Sequence, residues 1–247
     1  GGARRALSVV RQLGALLGRR AGLPSFGGSD PRAAERFDTC WAVSKAFCFT
    51  DPMAGLDFLL RSLAYAHASG DARRIARVSG PLAGFVLGNL PGMLPRAERW
   101  VASLATLGDD PYFAGAHALW SAYLAATRGQ LVATARHAEA AMDQLTAVPD
   151  TEWERVQALS ALARALFGRG HFATLDGVAR AHLPDIDRRR DLAAMVMMAS
   201  YRLVPALVDG RPDEARDVAD WVVATWLPER YSPQRFYALR AARMIEL

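Results

Sequence analysis

Chemistry in this chain would have to come from five histidines, two cysteines and a few acid–base runs. His137-Ala138-Glu139 has the His-x-Glu of zinc deaminases, where the imidazole holds the metal and the glutamate moves the proton. The Pro-Cys-x-x-Cys that completes such a site is absent, and His67, His117, His171 and His182 form no His-Glu-x-x-His. Cys40 and Cys48 lie eight residues apart on one expected helix, about 12 Å along its axis, too far for a disulfide. They read as small buried hydrophobes. Ala42-Val43-Ser44-Lys45 has the lysine of a kinase nucleotide anchor, but the glycine-rich loop, His-Arg-Asp and Asp-Phe-Gly that it needs are missing. Lys45 is therefore expected to be a solvated helix lysine. Gly27-Gly28-Ser29 lacks the spacing and lysine of a phosphate loop. Asp185-x-Asp187 before Arg188-Arg189-Arg190 reads as a capping loop with a solvated basic turn rather than an ion site. No catalytic, cofactor-binding or metal-ligating residue is assigned, and no cofactor is expected.

The elements that would position these residues are helices. Of 247 residues, 51% are hydrophobic and 22% charged, a balance that excludes disorder and permits a sizeable core. The net charge of +5 is carried almost wholly by arginine, Lys45 being the single lysine. Arginine bias also follows from a GC-rich genome, so it is a weak nucleic-acid signal. Arg73, Arg74, Arg77 and Arg188 to Arg190 are the best candidates for a basic stripe, but no aromatic interleaving accompanies them. Without a disulfide framework the chain fits a reducing compartment, and the expected location is cytoplasmic. The chain opens Gly1-Gly2 and ends Ile245-Glu246-Leu247 within a helical pattern, so it reads as an excised, C-terminally truncated fragment.

Two regions are expected: an amphipathic N-terminal helix and linker over 1–29, and a helical repeat domain over 30–247. Ala3 to Arg20 places Ala6, Val10, Leu13 and Leu17 on one face and reads as a helix laid on the first repeat. Gly22 to Pro31 is a loop by composition. Arg36 to Arg77 then reads as a helix hairpin: Phe37, Cys40, Trp41, Ser44 and Phe47 or Cys48 share one face, and Leu56, Leu59, Leu60, Leu63 and Ala66 share the next. Asp30-Pro31, Asp51-Pro52 and Asp110-Pro111 are cap-plus-proline starts. Further helices are expected over Asp71–Leu87 (bent at Gly80-Pro81), Pro95–Leu107, Pro111–Thr127, Leu131–Leu145, Glu152–Phe167, His171–His182, Arg188–Val208 and Asp213–Trp226, and from Ser232-Pro233 onward. Asp150 is expected to cap one of them. Leu192 to Val208, with Met195, Met197 and Met198, is the most apolar run, but it carries Arg202 and Pro205 and is read as buried rather than membrane-spanning. The tryptophans at 41, 100, 120, 153, 221 and 226 are read as packing between repeats.

No stretch alternates like a strand, so the class is all-α. Gly129, Gly170 and Gly210 are 41 and 40 residues apart. Small residues follow at Thr134, Ala135, Ala138 and Ala141, at Ala173 and Ala179, and at Ala215 and Ala219. A period of about 40 built of two helices and a turn is that of an α-solenoid of antiparallel hairpins, similar to degenerate tetratricopeptide (TPR) repeats.

Arg36-Phe37-Asp38 with Cys40-Trp41, Asp51-Pro52 with Gly55, Asp57 and Phe58, and Arg74-Ile75-Ala76-Arg77 resemble the TPR-type C-terminal region of large bacterial serine/threonine protein kinases, of the myxobacterial and planctomycete kind. Gly210-Arg211-Pro212-Asp213-Glu214-Ala215 and the closing Gln234, Tyr237, Ala238 and Leu239 continue the resemblance. Leu82 to Pro95 departs from it, with extra glycine and proline. The resemblance implies a parent kinase whose catalytic domain lies outside this chain, or a signalling ATPase in its place. The chain itself would be a non-catalytic scaffold or sensor with a protein or peptide partner. Nucleic acid and anionic lipid are the disfavoured partners, and no partner-binding residue is named.

Overall fold

The computed structural model describes residues 2–18, 30–225, 236, 239–240 and 243–244. The linker at Gly27-Gly28-Ser29, the Leu17 side chain, Arg19, Arg20, Trp226, Ser232-Pro233, Gln234, Tyr237 and Ala238 lie outside that description. Eleven α-helices and no strand occur among the described residues, so the chain is all-α. It forms two compact units, Gly1–Ala158 and Leu159–Leu247.

The first unit holds α1 (Gly2–Gly18), α2 (Pro31–Phe47), α3 (Pro52–Ser69), α4 (Ala72–Pro81), α5 (Leu94–Leu104), α6 (Pro111–Thr127), α7 (Leu131–Thr146) and the start of α8 (Glu152–Gly168). The three cap-plus-proline starts form as expected. Asp30, Asp51 and Asp110 accept from the backbone N–H of Arg32, Ala54 and Tyr112, satisfying amides that a helix start leaves unpaired. Phe37, Cys40, Trp41 and Ser44 of α2 are buried, as are Leu59, Leu60, Leu63 and Ala66 of α3, and the two helices pack as a pair. Phe47 is exposed.

α1 does pack on α3, but not through the expected face. Val9 and Leu16 are buried, whereas Val10 is 66% exposed. Polar docking sets this rotation. The buried Asp57 of α3 accepts from Ser8 Oγ at 2.8 Å and Gln12 Nε2 at 2.9 Å while pairing with Arg61. Leaving that carboxylate uncapped would cost more than exposing one valine.

After Pro81 the helix widens instead of stopping. Leu82–Val86 is π-helical and Leu87–Asn89 a 3₁₀ turn, with the Leu87 N–H reaching both the Ala83 and Leu82 carbonyls. Pro81 brings no N–H to the ladder, which lets the spacing slip there. The glycines of this stretch seat it on α6: a Cβ at Gly84 would lie 2.5 Å from the Trp120 ring, and one at Gly88 2.8 Å from Leu124. The aromatic core continues from there. Phe85 meets Trp120 edge-on at 5.0 Å, and Trp153 lies 6.2 Å from Trp120 and 5.2 Å from Trp41.

The second unit holds the rest of α8 with α9 (Phe172–Arg188), α10 (Leu192–Val208) and α11 (Pro212–Thr225). Besides α5, which ends at Leu104 rather than Leu107, the α9–α10 turn and the start of α8 in the first unit differ from expectation. Pro184 and Asp187 lie inside α9, so the turn falls at Arg189-Arg190, and α10 starts two residues past it under an Asp191 cap. Similarly, Thr151 and not Asp150 stands at the start of α8, its carbonyl accepting from the Arg155 N–H.

Both differences have one cause. Gly129, Gly170 and Gly210 take left-handed backbone, and so do Asp150 (φ 61°) and Arg190 (φ 54°) midway between them. The turn therefore recurs at half the glycine period. After each of Gly70, Gly129, Gly170 and Gly210, the fifth and ninth residues are buried: Ile75 and Ser79, Thr134 and Ala138, Leu175 and Ala179, Ala215 and Ala219. Ala173, expected among the packed small residues, is exposed because the register belongs to Leu175. Left-handed backbone costs an L-residue roughly 1–2 kcal/mol, partly offset in glycine by chain entropy. Arg190 is exposed, so Arg190→Gly is expected to raise stability by about 0.5–1 kcal/mol in thermal unfolding. An unchanged or lower midpoint would contradict a strained turn at this position.

Candidate functional site

The second unit carries a groove of about 540 Å³ between α9, α10 and α11. Leu183, Pro184, Met195, Ala199, Val218 and Trp221 make its apolar lining. Asp187, Arg202 and Asp217 add charge. Packing of α10 on its neighbours sets the spacing of these side chains, with Leu203 and Ala206 against Ala215 and Ala219, where small residues bring the helices close.

Arg202 is committed to the protein rather than to a ligand. Its guanidinium donates to Asp176 at 3.2 Å and to Glu214 at 2.6 Å. Arg180 also holds Asp176, at 2.7 Å, and reaches Glu214, while Arg211 pairs with Glu214 and with Asp209 at 2.9 Å. Three guanidiniums thus face three carboxylates and tie the three helices together. Burial pushes the Asp176 carboxyl up, but the hydrogen bonds from Arg180 and Arg202 outweigh it and hold the group below its ordinary range. Asp187 and Asp217 are exposed and have no side-chain partner among the described residues.

Arg73 donates to the Pro149 carbonyl, Arg74 to Asp38 and Asp71, and Arg77 to Glu154 and the Asp150 carbonyl. These three arginines are clamps between helices. Arg188 and Arg189 both pair with Asp185, and Arg190 is the left-handed turn residue. Lys45 lies over the Trp41 ring at 5.7 Å. Cys40 and Cys48 are not joined in a disulfide. Cys40 is buried, which raises the pKa of its thiol. Cys48 is only half-buried and its thiol donates to the Lys45 carbonyl at 3.0 Å, so it is not the buried hydrophobe expected. His117 and His137 are held below the ordinary imidazole range by burial, His137 also by Arg136. No group of three potential ligands that could hold a metal occurs among the described residues. Trp100 and Trp120 are fully buried and Trp41 nearly so, whereas Trp221, at the groove, is 38% exposed.

The groove is not legible as a site in the sequence, because its lining comes from three helices and each residue alone looks like ordinary helix surface. Trp221, read from the sequence as packing between repeats, is instead 38% exposed at the groove. No helix among the described residues is long and apolar enough to cross a membrane. Comparison with family models, with characterised proteins and with solved structures finds no match to this chain.

Proposed function

We propose that the chain is a non-catalytic interaction scaffold that recruits a protein or peptide through its helical surface. The observation that carries this reading is the groove on α9, α10 and α11: open, mostly apolar, and built on helices fixed by an internally neutralised ion cluster. Preformed, largely apolar concavities with a few placed polar groups are where ligands bind. The recurring left-handed turn supports the finer reading, an array of TPR-like hairpins. The parent serine/threonine kinase implied by the resemblance belongs to the same proposal, with partner binding biasing the attached catalytic domain.

The test is a pull-down from the source organism's lysate with this chain as bait, at low and at moderate salt. One or two proteins retained at moderate salt, and binding again when purified, are expected. Recovery of only nucleic acid or lipid, lost as salt rises, would replace the reading with a polyanion binder.

A further inference from the structure

The groove has a charge preference opposite to that of the whole chain. The chain carries +5, so long-range attraction favours acidic ligands. At the groove the balance reverses. Arg202 is neutralised by Asp176 and Glu214, whereas Asp187 on α9 and Asp217 on α11 offer exposed carboxylates with no partner among the described residues. Met195, Ala199 and Val218 lie among the apolar residues of the lining, and Trp221 presents an exposed ring suited to a cation. The groove is open to solvent rather than enclosed, so a small molecule would stay largely in water, while a peptide can lay one face into it.

We infer that this groove binds a basic amphipathic peptide segment, its apolar side chains on the Met195–Val218 floor and its Arg or Lys side chains at Asp187, Asp217 and Trp221. The inference rests on the scaffold reading and adds the chemistry of the partner. Exposed carboxylates beside an apolar floor steer and select more than they add raw affinity, so the effect is read as selectivity.

The experiment is selection of short random peptides, displayed on phage, against the full chain and against its Asp187→Lys/Asp217→Lys variant. Both substitutions are at exposed positions, and circular dichroism checks the fold of the variant. Peptides enriched by the unaltered chain are expected to be net positive with bulky apolar residues. Their affinity in fluorescence anisotropy is expected to fall about tenfold or more in the variant, whose own selection shifts to acidic peptides. Met195→Gln, which makes the floor polar without adding charge, is expected to weaken capture of the same peptides, and unchanged capture would overturn the inference. Enrichment of acidic or neutral peptides, no enrichment, or equal binding by the charge-reversed variant overturns the inference. The two readings fail separately. A client retained at moderate salt by both the unaltered and charge-reversed chains keeps the scaffold and removes the basic-peptide groove. Selection of basic peptides with no retained client removes recruitment and keeps the groove.

Discussion

Gly80→Ala is expected to lower the folding stability of the chain by about 3 kcal/mol, the upper end of what overpacking a core costs. Gly80 is buried, and a Cβ built there overlaps the indole of Trp120. The indole has nowhere to go: it is 1% exposed and held among Phe85, Tyr123 and Trp153. Gly84 and Gly88 continue the same stripe at four-residue spacing, so the backbone of this stretch lies directly on α6. On an open helix surface the same change should help, since alanine exceeds glycine in helix propensity by about 1 kcal/mol. Gly14 of α1, where an added Cβ would meet nothing within 4 Å, is the control. Denaturant unfolding of Gly80→Ala, Gly14→Ala, Trp120→Ala and the Gly80→Ala/Trp120→Ala pair checks the argument. Trp120→Ala alone is expected to cost about 3–5 kcal/mol, and adding Gly80→Ala to it should cost nothing further. A Gly80→Ala protein as stable as the parent would mean that α4 does not press on that ring.

What the sequence shows well is what a few adjacent residues decide among themselves. Asp30-Pro31, Asp51-Pro52 and Asp110-Pro111 each start a helix because the cap and the proline act within one turn. The period of the turns is half visible. Gly129, Gly170 and Gly210 announce left-handed backbone, but Asp150 and Arg190 adopt it without a marker residue, so the true spacing is hidden. The buried face of α1 escapes apolar periodicity, which gives no weight to Ser8 and Gln12, whose contacts with Asp57 turn the helix. Gly80 reads only as a bend beside Pro81, and Gly84 and Gly88 only as extra glycine, because sequence displays a missing side chain but not the Trp120 and Leu124 side chains that fill its place. The groove is least legible, since Asp187, Arg202 and Asp217 become neighbours only when three helices pack.

The arginines that look most like a nucleic-acid stripe give the second large effect. Arg77→Met is expected to cost about 3–5 kcal/mol, the loss seen when one member of a buried ion pair is removed. Glu154 is 3% exposed and accepts from Arg77 Nε and from the Tyr112 hydroxyl, each at 3.1 Å, while Arg77 also donates to the Asp150 carbonyl at 2.7 Å. Without the guanidinium that carboxylate stays buried and uncompensated. Arg77→Met/Glu154→Leu should therefore be more stable than Arg77→Met alone, which is the sign that separates a structural clamp from a surface cation. An exposed phosphate-binding arginine would instead leave the unfolding midpoint unmoved and change only the salt-dependent binding. Tyr112 supplies an independent readout of the same cluster. Burial, and then the Glu154 charge, push its phenol well above the ordinary value of 10.0. The unfolded chain consequently loses this proton first as pH rises past that value, so the contribution is complete below pH 10 and is lost above it. The fall should follow about 1.4 kcal/mol per pH unit, and Tyr112→Phe should remove that part of the slope. Thermal unfolding across the alkaline range measures it, and identical slopes in the two proteins would place Tyr112 in contact with water rather than sealed against Glu154 and Arg77.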